Sequence, residues 1–371
     1  MYRKLSLLLL VSIITLFSGC WVSAAAQIAS AGKPNFDNDI RLMRFNSLPD
    51  HHLHYDDYLQ YSPAVLMLGL KVCGYKGRSD WSRMLVSDAF SAAIMAASVN
   101  ALKYSVKRMR PDGSRRNSFP SGHTATAFML AGMLNHEYGW RSPWWGFAGY
   151  SVATVTSVAR IFNNRHWASD TFAGALIGVG STELGYFLSD LIFKDRHLYD
   201  GYEKPEFGYC SADNRYWSIQ FGYKRRFVVA AGKTALAASE MPYRGSGMSL
   251  SAEFPLIAGS GFCVEGDMGS LLFKDGNSFN LYSGKVGMYW ARDFAKVLEF
   301  QVQTLIGYAG HRNGGGIDLS AAASLNLVTG NNYKLRALAE WETLSWASRE
   351  DSMGKPYLNS VLLGFNAAFF W

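Results

Sequence analysis

Two hydrophobic periods divide the chain. Between about residues 60 and 195 the apolar positions come in long runs, among them "SPAVLMLGLKVCG", "SDAFSAAIMAASVNALKYSV", "TATAFMLAGML", "SPWWGFAGYSVATVTSVARIF" and "SDTFAGALIGVGSTELGYFLSDLIF". Each is too long for a strand, and turn signals separate them, so the pattern predicts packed helices. From about residue 215 the period falls to two. In "YWSIQFGYK", Trp217, Ile219, Phe221 and Tyr223 alternate with Ser218, Gln220, Gly222 and Lys224. In "LEFQVQTLIGY", Leu298, Phe300, Val302, Ile306 and Tyr308 share a face opposite Glu299, Gln301 and Gln303. Eight such segments predict antiparallel strands.

The connections between these strands alternate in length. Long or medium stretches (about 229–246, "KDGNS", "GHRNGGG", "ASREDSMGK") are interleaved with short ones ("AGSG", "RDFAK", "TGNN"). Short turns at one end and longer loops at the other are the pattern of an outer-membrane barrel, which also wants an apolar outer face. A soluble, lipocalin-like barrel would reverse the two faces. The expectation is therefore a chain of two folds, an all-α helical bundle over 55–200 and an eight-stranded antiparallel β-barrel over 215–371. Residues 27–54 and 201–214 are read as linking segments. A barrel of this kind crosses the periplasm unfolded, and a polytopic helical domain upstream would be retained in the inner membrane. The helical half is therefore expected in the periplasm, soluble or surface-associated.

The N-terminus fits that route. "MYRK" is basic, "LSLLLLVSIITLF" is apolar over 13 residues, and "VSAAAQ" is small enough to be cut near Ala26. This predicts a secretory signal peptide over 1–26, short of the ~20 apolar residues a spanning helix needs. "FSGC" offers Cys20 as a lipidation site, although Phe17 departs from the usual branched aliphatic. Beyond the cut remain Cys73, Cys210 and Cys263, whose spacing matches no metal site and of which at most one pair can form a disulfide. The net charge of +7, from 36 Lys+Arg against 29 Asp+Glu, suits an anionic substrate or surface. It comes without a basic tail or zinc-finger spacing, so nucleic acid is not expected as a partner.

Three polar clusters interrupt the helical half. "KYSVKRMRP" places Lys103 seven residues before Arg110, about 20° from the same helical face, with Arg110 freed at the end by Pro111. "SFPSGHTATAF" sets Pro120, Ser121, Gly122 and His123 where an apolar helix begins. "ARIFNNRHWASD" supplies Arg160, His166 and Asp170, the last two at i and i+4, where a carboxylate can hold an imidazole. Each cluster has a plain reading as a helix end, an N-cap or a surface pair. Together and in this order they resemble the signature of the type 2 phosphatidic acid phosphatase family: Lys-x6-Arg-Pro, Pro-Ser-Gly-His and Ser-Arg-x5-His-x3-Asp. One position departs, with Ala159 in place of the signature serine. The resemblance covers about residues 55–195.

That resemblance implies a phosphatase of phosphate monoesters or pyrophosphates, with no metal or other cofactor. Lys103, Arg110, Ser121, Gly122 and Arg160 would hold the phosphate, helped by free amides at the helix start. His166 would attack phosphorus, oriented by Asp170, and His123 would protonate the leaving alkoxide and then activate water. Lipid phosphate is the expected substrate, because a barrel would hold the site beside a membrane and be ringed by its lipid; a soluble ester is the alternative. Vanadate-dependent haloperoxidases share the pocket and form a second possible enzyme class. A non-enzymatic pore or adhesin, with the helices as a plug, is the remaining alternative. "HHLH" (His51, His52, His54) reads as a solvated loop rather than a metal site, and the "RSDWSR" cations as exposed helix ends.

Overall fold

The computed structural model describes residues 36–47, 55–202, 217–231, 242–273, 278–295, 297–311, 314–328, 333–345, 347–348 and 357–370. The expected signal peptide, Cys20, Cys210, the His51, His52 and His54 cluster, most of the longest loops and Trp371 lie outside the described residues. The chain divides into two compact units, one comprising Asp50–Glu203 together with Met1–Asp37, the other Asn38–Pro49 with Lys204–Trp371.

The helical unit contains α2 (Asp56–Leu59), α3 (Ser62–Val72), α4 (Trp81–Val106), α5 (Gly122–Tyr138), α6 (Pro143–Phe162) and α7 (Ala168–Phe193). α5 is the central element and packs against both α6 and α7, while α4 lies along α7. Met67, Met129, Met133, Leu134, Tyr138 and Tyr186 form one buried cluster. Val99, Leu102, Phe119, Ala125, Ala173 and Ile177 form another, beneath the start of α5. The approach of α7 to that start demands glycine: a Cβ at Gly174 would stand 2.5 Å from the Ser121 carbonyl oxygen. α4 and α7 are each 26 residues long and apolar enough to cross a membrane by length and composition, and most of the apolar stretch of each is not buried within the protein.

The "RSDWSR" cations are not exposed. Arg78 and Arg83 are buried and share Asp190 Oδ1 at 2.5 and 2.7 Å. Arg83 also donates to the carbonyls of Lys194 and Arg196, closing the C-terminal end of α7, where backbone acceptors lack intrahelical partners. A charge pattern alone does not reveal this, because its partners lie more than a hundred residues away.

In the second unit, eight long strands close on themselves: β1 (Ser218–Ala231), β2 (Pro242–Ile257), β3 (Ser260–Phe273), β4 (Ser278–Ala295), β5 (Leu298–His311), β6 (Gly314–Val328), β7 (Tyr333–Ser345) and β9 (Tyr357–Phe370). A two-residue β8 (Ala347–Ser348) pairs with the start of β6. Neighbours are antiparallel, and β1 closes on β9, with Phe221 opposite Ala367. Alternation sorts the faces. Val286 and Ile306 are both 55% exposed on the outside, alongside Phe262, Met288, Trp290, Leu319 and Phe365. The intervening residues turn inward, and they are polar or small, with many of them charged. Lys285 Nζ meets Glu265, Asp267 and Glu340, each at 2.9 Å, and Lys224 Nζ meets Glu265 at 2.6 Å and Glu340 at 2.7 Å. Arg336 joins Glu253 at 2.8 Å, and Lys334 joins Glu299 at 2.7 Å. Eight strands leave an interior just wide enough for side chains to fill. Apolar outside and charged inside is the inverse of a soluble barrel, so the lipocalin-like alternative falls.

The segment read as a linker over 27–54 contains a helix, α1 (Phe36–Ser47). From Asn38 onward it belongs with the strands. Asp39 accepts from Arg244 at 3.2 Å and Ser246 at 3.1 Å, and Asn280 donates to the Met43 carbonyl at 2.9 Å. Ile40 and Met43, three apart, are buried with it.

Candidate active site

The site is assembled at the N-terminal ends of α5 and α7 and in the two loops leading to them. Ser121 caps α5, accepting from the Thr124 amide at 3.4 Å and the Thr124 hydroxyl at 3.0 Å. Its own amide donates to the Asp170 carbonyl at 3.0 Å, which ties the Pro-Ser-Gly-His turn to the first turn of α7. The plain N-cap reading of Ser121 therefore holds. Just inside the cap, Lys103 Nζ lies 3.9 Å from where a Cβ on Gly122 would be, so the glycine leaves room beside the ammonium.

Between α6 and α7 the chain folds back so that the amides of Arg165 and His166 both reach the Arg160 carbonyl. The guanidinium and the imidazole are thereby brought into one corner. His166 is 3% exposed, and its Nδ1 is 2.7 Å from the Ser118 carbonyl. A carbonyl can only accept, so Nδ1 carries the proton and Nε2 keeps its lone pair. Asp170 Oδ2 is 3.8 Å from Nδ1, beyond a direct hydrogen bond. The carboxylate is itself held by Arg108 at 2.7 Å, by the Trp167 amide at 2.9 Å and by the Ser118 hydroxyl. His166 precedes α7 rather than riding on it, so the expected i, i+4 helical pair becomes a loop histidine oriented first by Ser118 and electrostatically by Asp170.

Arg110 also differs from its expected geometry. α4 stops at Val106 because Lys107 adopts a left-handed conformation (φ 47°). Arg110 therefore owes its place to a turn, with its amide on the Arg115 carbonyl and its carbonyl accepting from Gly113, and not to a shared helical face with Lys103. Its Nε is buried without a partner. Lys103 Nζ donates to the Asn117 carbonyl at 3.2 Å. Among the described residues, neither Lys103 nor Arg110 forms a salt bridge. Arg160 does, with buried Asp56 at 2.7 Å and exposed Asp57 at 3.3 Å, and Asp57 also meets His123 Nε2 at 2.8 Å.

The charges act on one another as a converged group would. Burial holds the His166 imidazole below its ordinary pKa, Arg160 and Lys103 press it lower still, and Asp170 opposes them. His123 is lowered by burial and then by Arg160, against Asp57 and Asp56. Arg110 is lowered by burial, with Arg160 and Arg165 adding to the effect and Asp112 opposing it. Such crowding of cations costs free energy unless an anion completes it. Among the described residues, no group of three or more His, Cys, Asp or Glu side chains is arranged to hold a metal ion.

Residues 84–190 match the PAP2 superfamily. The matched segment contains every predicted site residue, from Lys103 to Asp170. The chain is 52% identical over 162 residues to a Porphyromonas gingivalis protein named lipid A 1-phosphatase. That alignment covers 43% of this chain and 36% of the relative, so the chain spans about a third of that protein's length. Among solved structures, it resembles Aquifex aeolicus LpxE at 21% identity, over 40% of this chain and 93% of that one, with a TM-score of 0.31. It also resembles neisserial surface protein A at 12% identity, over 42% and 96%, with a TM-score of 0.33. The PAP2 match leaves Asp56, Asp57 and Asp37 outside its bounds. Asp37 is a buried carboxylate that accepts from Arg108 at 2.6 Å and from the Ser169 amide at 2.9 Å. Sequence reasoning passed over these three residues, together with Arg108 and Ser118. The adjacent carboxylates in "HYDDYL" are the signal that the sequence offers for them.

Proposed function

We propose that the helical unit is a phosphatase of lipid phosphate monoesters or pyrophosphates, carried on an outer-membrane barrel with the phosphatase on the periplasmic side. The observation that carries this is the pairing of a tautomer-fixed, buried His166 with two cations, Lys103 and Arg110, that form no salt bridge among the described residues. The tetrahedral oxyanion of a phosphate supplies an anionic partner. His166 Nε2 donates its lone pair to phosphorus as the P–O bond to the leaving group breaks, and His123 gives the departing alkoxide its proton. Water then attacks the phosphohistidine, His123 takes up the water's proton, and the P–N bond breaks to release inorganic phosphate. Arg160 and the α5 amides stabilise the charge on the transferring group, so the mechanism needs no metal.

The substrate class rests on two supports. One is the name of the Porphyromonas gingivalis relative, a lipid A phosphatase. The other is the apolar outer face of the barrel, which suits a membrane leaflet where such a lipid resides. The test is phosphate release by the full chain, with chelator present, from lipid phosphates and from soluble esters, with His166→Ala as control. Release by wild type and an acid-labile phosphoenzyme that the variant lacks are expected. Release that survives His166→Ala, or that requires a divalent ion, would overturn the mechanism.

A further inference from the structure

Asp57 stands at the mouth of the site in a position that the reaction above does not use. It belongs to α2, a single turn that presents adjacent carboxylates to the two side chains around the phosphate position. Asp56 is buried and holds Arg160 at 2.7 Å and Asn163 at 3.0 Å, which fixes the guanidinium from behind. The side chain of Asp57 is 62% exposed, and its Oδ1 sits 2.8 Å from His123 Nε2 and 3.3 Å from Arg160. The closer contact is to the histidine.

We infer that Asp57 is a positioning residue for His123, holding its Nε2–H so that the ring is kept oriented and protonated as the general acid. The inference rests on the phosphatase reading. The need is electrostatic: burial and Arg160 both disfavour the imidazolium, and the carboxylates of α2 are the groups that oppose them. With Nε2–H given to Asp57, Nδ1 is the ring atom left to pass a proton to the leaving oxygen. Arg160 keeps Asp56 when a phosphate arrives, so its weaker contact with Asp57 can be exchanged for a phosphate oxygen while the Asp57–His123 pair stays.

General-acid help matters for a poor leaving group and hardly at all for a good one. The test compares full-length wild type, Asp57→Asn and Asp57→Ala in micelles on a short-chain phosphatidic acid and on 4-nitrophenyl phosphate. Both variants are expected to lose roughly 10²-fold in kcat/KM, which reports the step in which the leaving group departs, on the alkyl phosphate, and to stay within about threefold on the nitrophenyl ester. A second reading does not depend on activity. The rate of carbethoxylation of His123 by diethyl pyrocarbonate, followed by peptide mass spectrometry against pH, reports the neutral fraction of the ring. Its midpoint is expected to fall by about one pH unit in both variants. An equal loss on the two substrates, an unmoved midpoint, or a lower KM for both substrates without a midpoint shift would overturn the inference. The last result would make Asp57 a mere plug on Arg160. A wild type that releases no phosphate would overturn the phosphatase reading and the acid role with it, while the midpoint would still decide whether the carboxylate holds the ring.

Discussion

The barrel interior and the helical site both bury charge, but they balance it differently. Inside the barrel, Lys285 and Lys224 share Glu265, Asp267 and Glu340, and Arg336 and Lys334 have carboxylates of their own. In the helical unit, carboxylates satisfy Arg108 and Arg160, while among the described residues Lys103 donates to a backbone carbonyl and the buried Nε of Arg110 has no partner. A buried pair that is complete belongs to structure, because removing one member strands the other. A cation left incomplete among other cations weakens the resting fold and suits an anion that comes and goes. On the proposed function, the difference separates the charges that hold this protein together from the charges that act.

Substitutions should split along that line. The largest stability effect is expected at Lys285→Met, which leaves Glu265, Asp267 and Glu340 short of a cation; breaking such a buried pair costs about 3–5 kcal/mol. Unfolding of the barrel in urea, followed by tryptophan fluorescence, would register it. Arg108→Ala is next and crosses both categories. It strands Asp170 and Asp37, so a fall in Tm of the helical unit should accompany loss of phosphate release.

Lys103→Met and Arg110→Met should separate the two effects. Loss of one charged donor to a developing oxyanion costs on the order of 10²–10³ in kcat/KM, with Tm unchanged or raised. A fall in Tm equal to that of Arg108→Ala would erase the distinction between the two kinds of cation.

The pH profile is a milder test. The proposed mechanism needs His166 neutral and His123 protonated in the free enzyme, and both rings are shifted below the ordinary 6.5. The lowered His166 keeps its lone pair at acid pH, and the lowered His123 surrenders its proton early as pH rises. The optimum of kcat/KM should therefore fall on the acid side of 6.5. The same sign applies to stability: the unfolded chain takes up protons at these histidines first, so stability is lost as pH falls below about 6.5. The smallest effect is expected at Ala159→Ser. The position is 1% exposed inside α6, where a new hydroxyl can bond back to the Val155 carbonyl. Activity within about threefold of wild type is the expected outcome, measured on the same esters.

The two folds were legible because each is written in its own period. The strand faces could be counted from Trp217 and Leu298 onward, and loop lengths alone pointed to an outward apolar face. α1 was missed because a polar 12-residue segment, "FDNDIRLMRFNS", shows too few apolar positions to announce a helix seated by Asp39 and Asn280. In the site, residue types and order were readable, but partners were not. The spacing pairs His166 with Asp170, yet its Nδ1 donates to the backbone carbonyl of Ser118, and no side-chain pattern encodes where a carbonyl points. In sequence Arg108 is one cation of a basic run, and only the tertiary fold shows it between Asp37 and Asp170. Arg110 reached its position by a turn that Lys107 starts, where helical spacing had suggested a continuous face.

Binding of inorganic phosphate to the resting protein tests the central claim most directly. Titration calorimetry of the full chain in micelles should show one phosphate bound per chain, weakened at least about tenfold by Lys103→Met or Arg110→Met and left intact by Lys285→Met under conditions where the barrel stays folded. Equal affinity in wild type and both cation variants would show that those two residues do not await an anion, and would contradict the account.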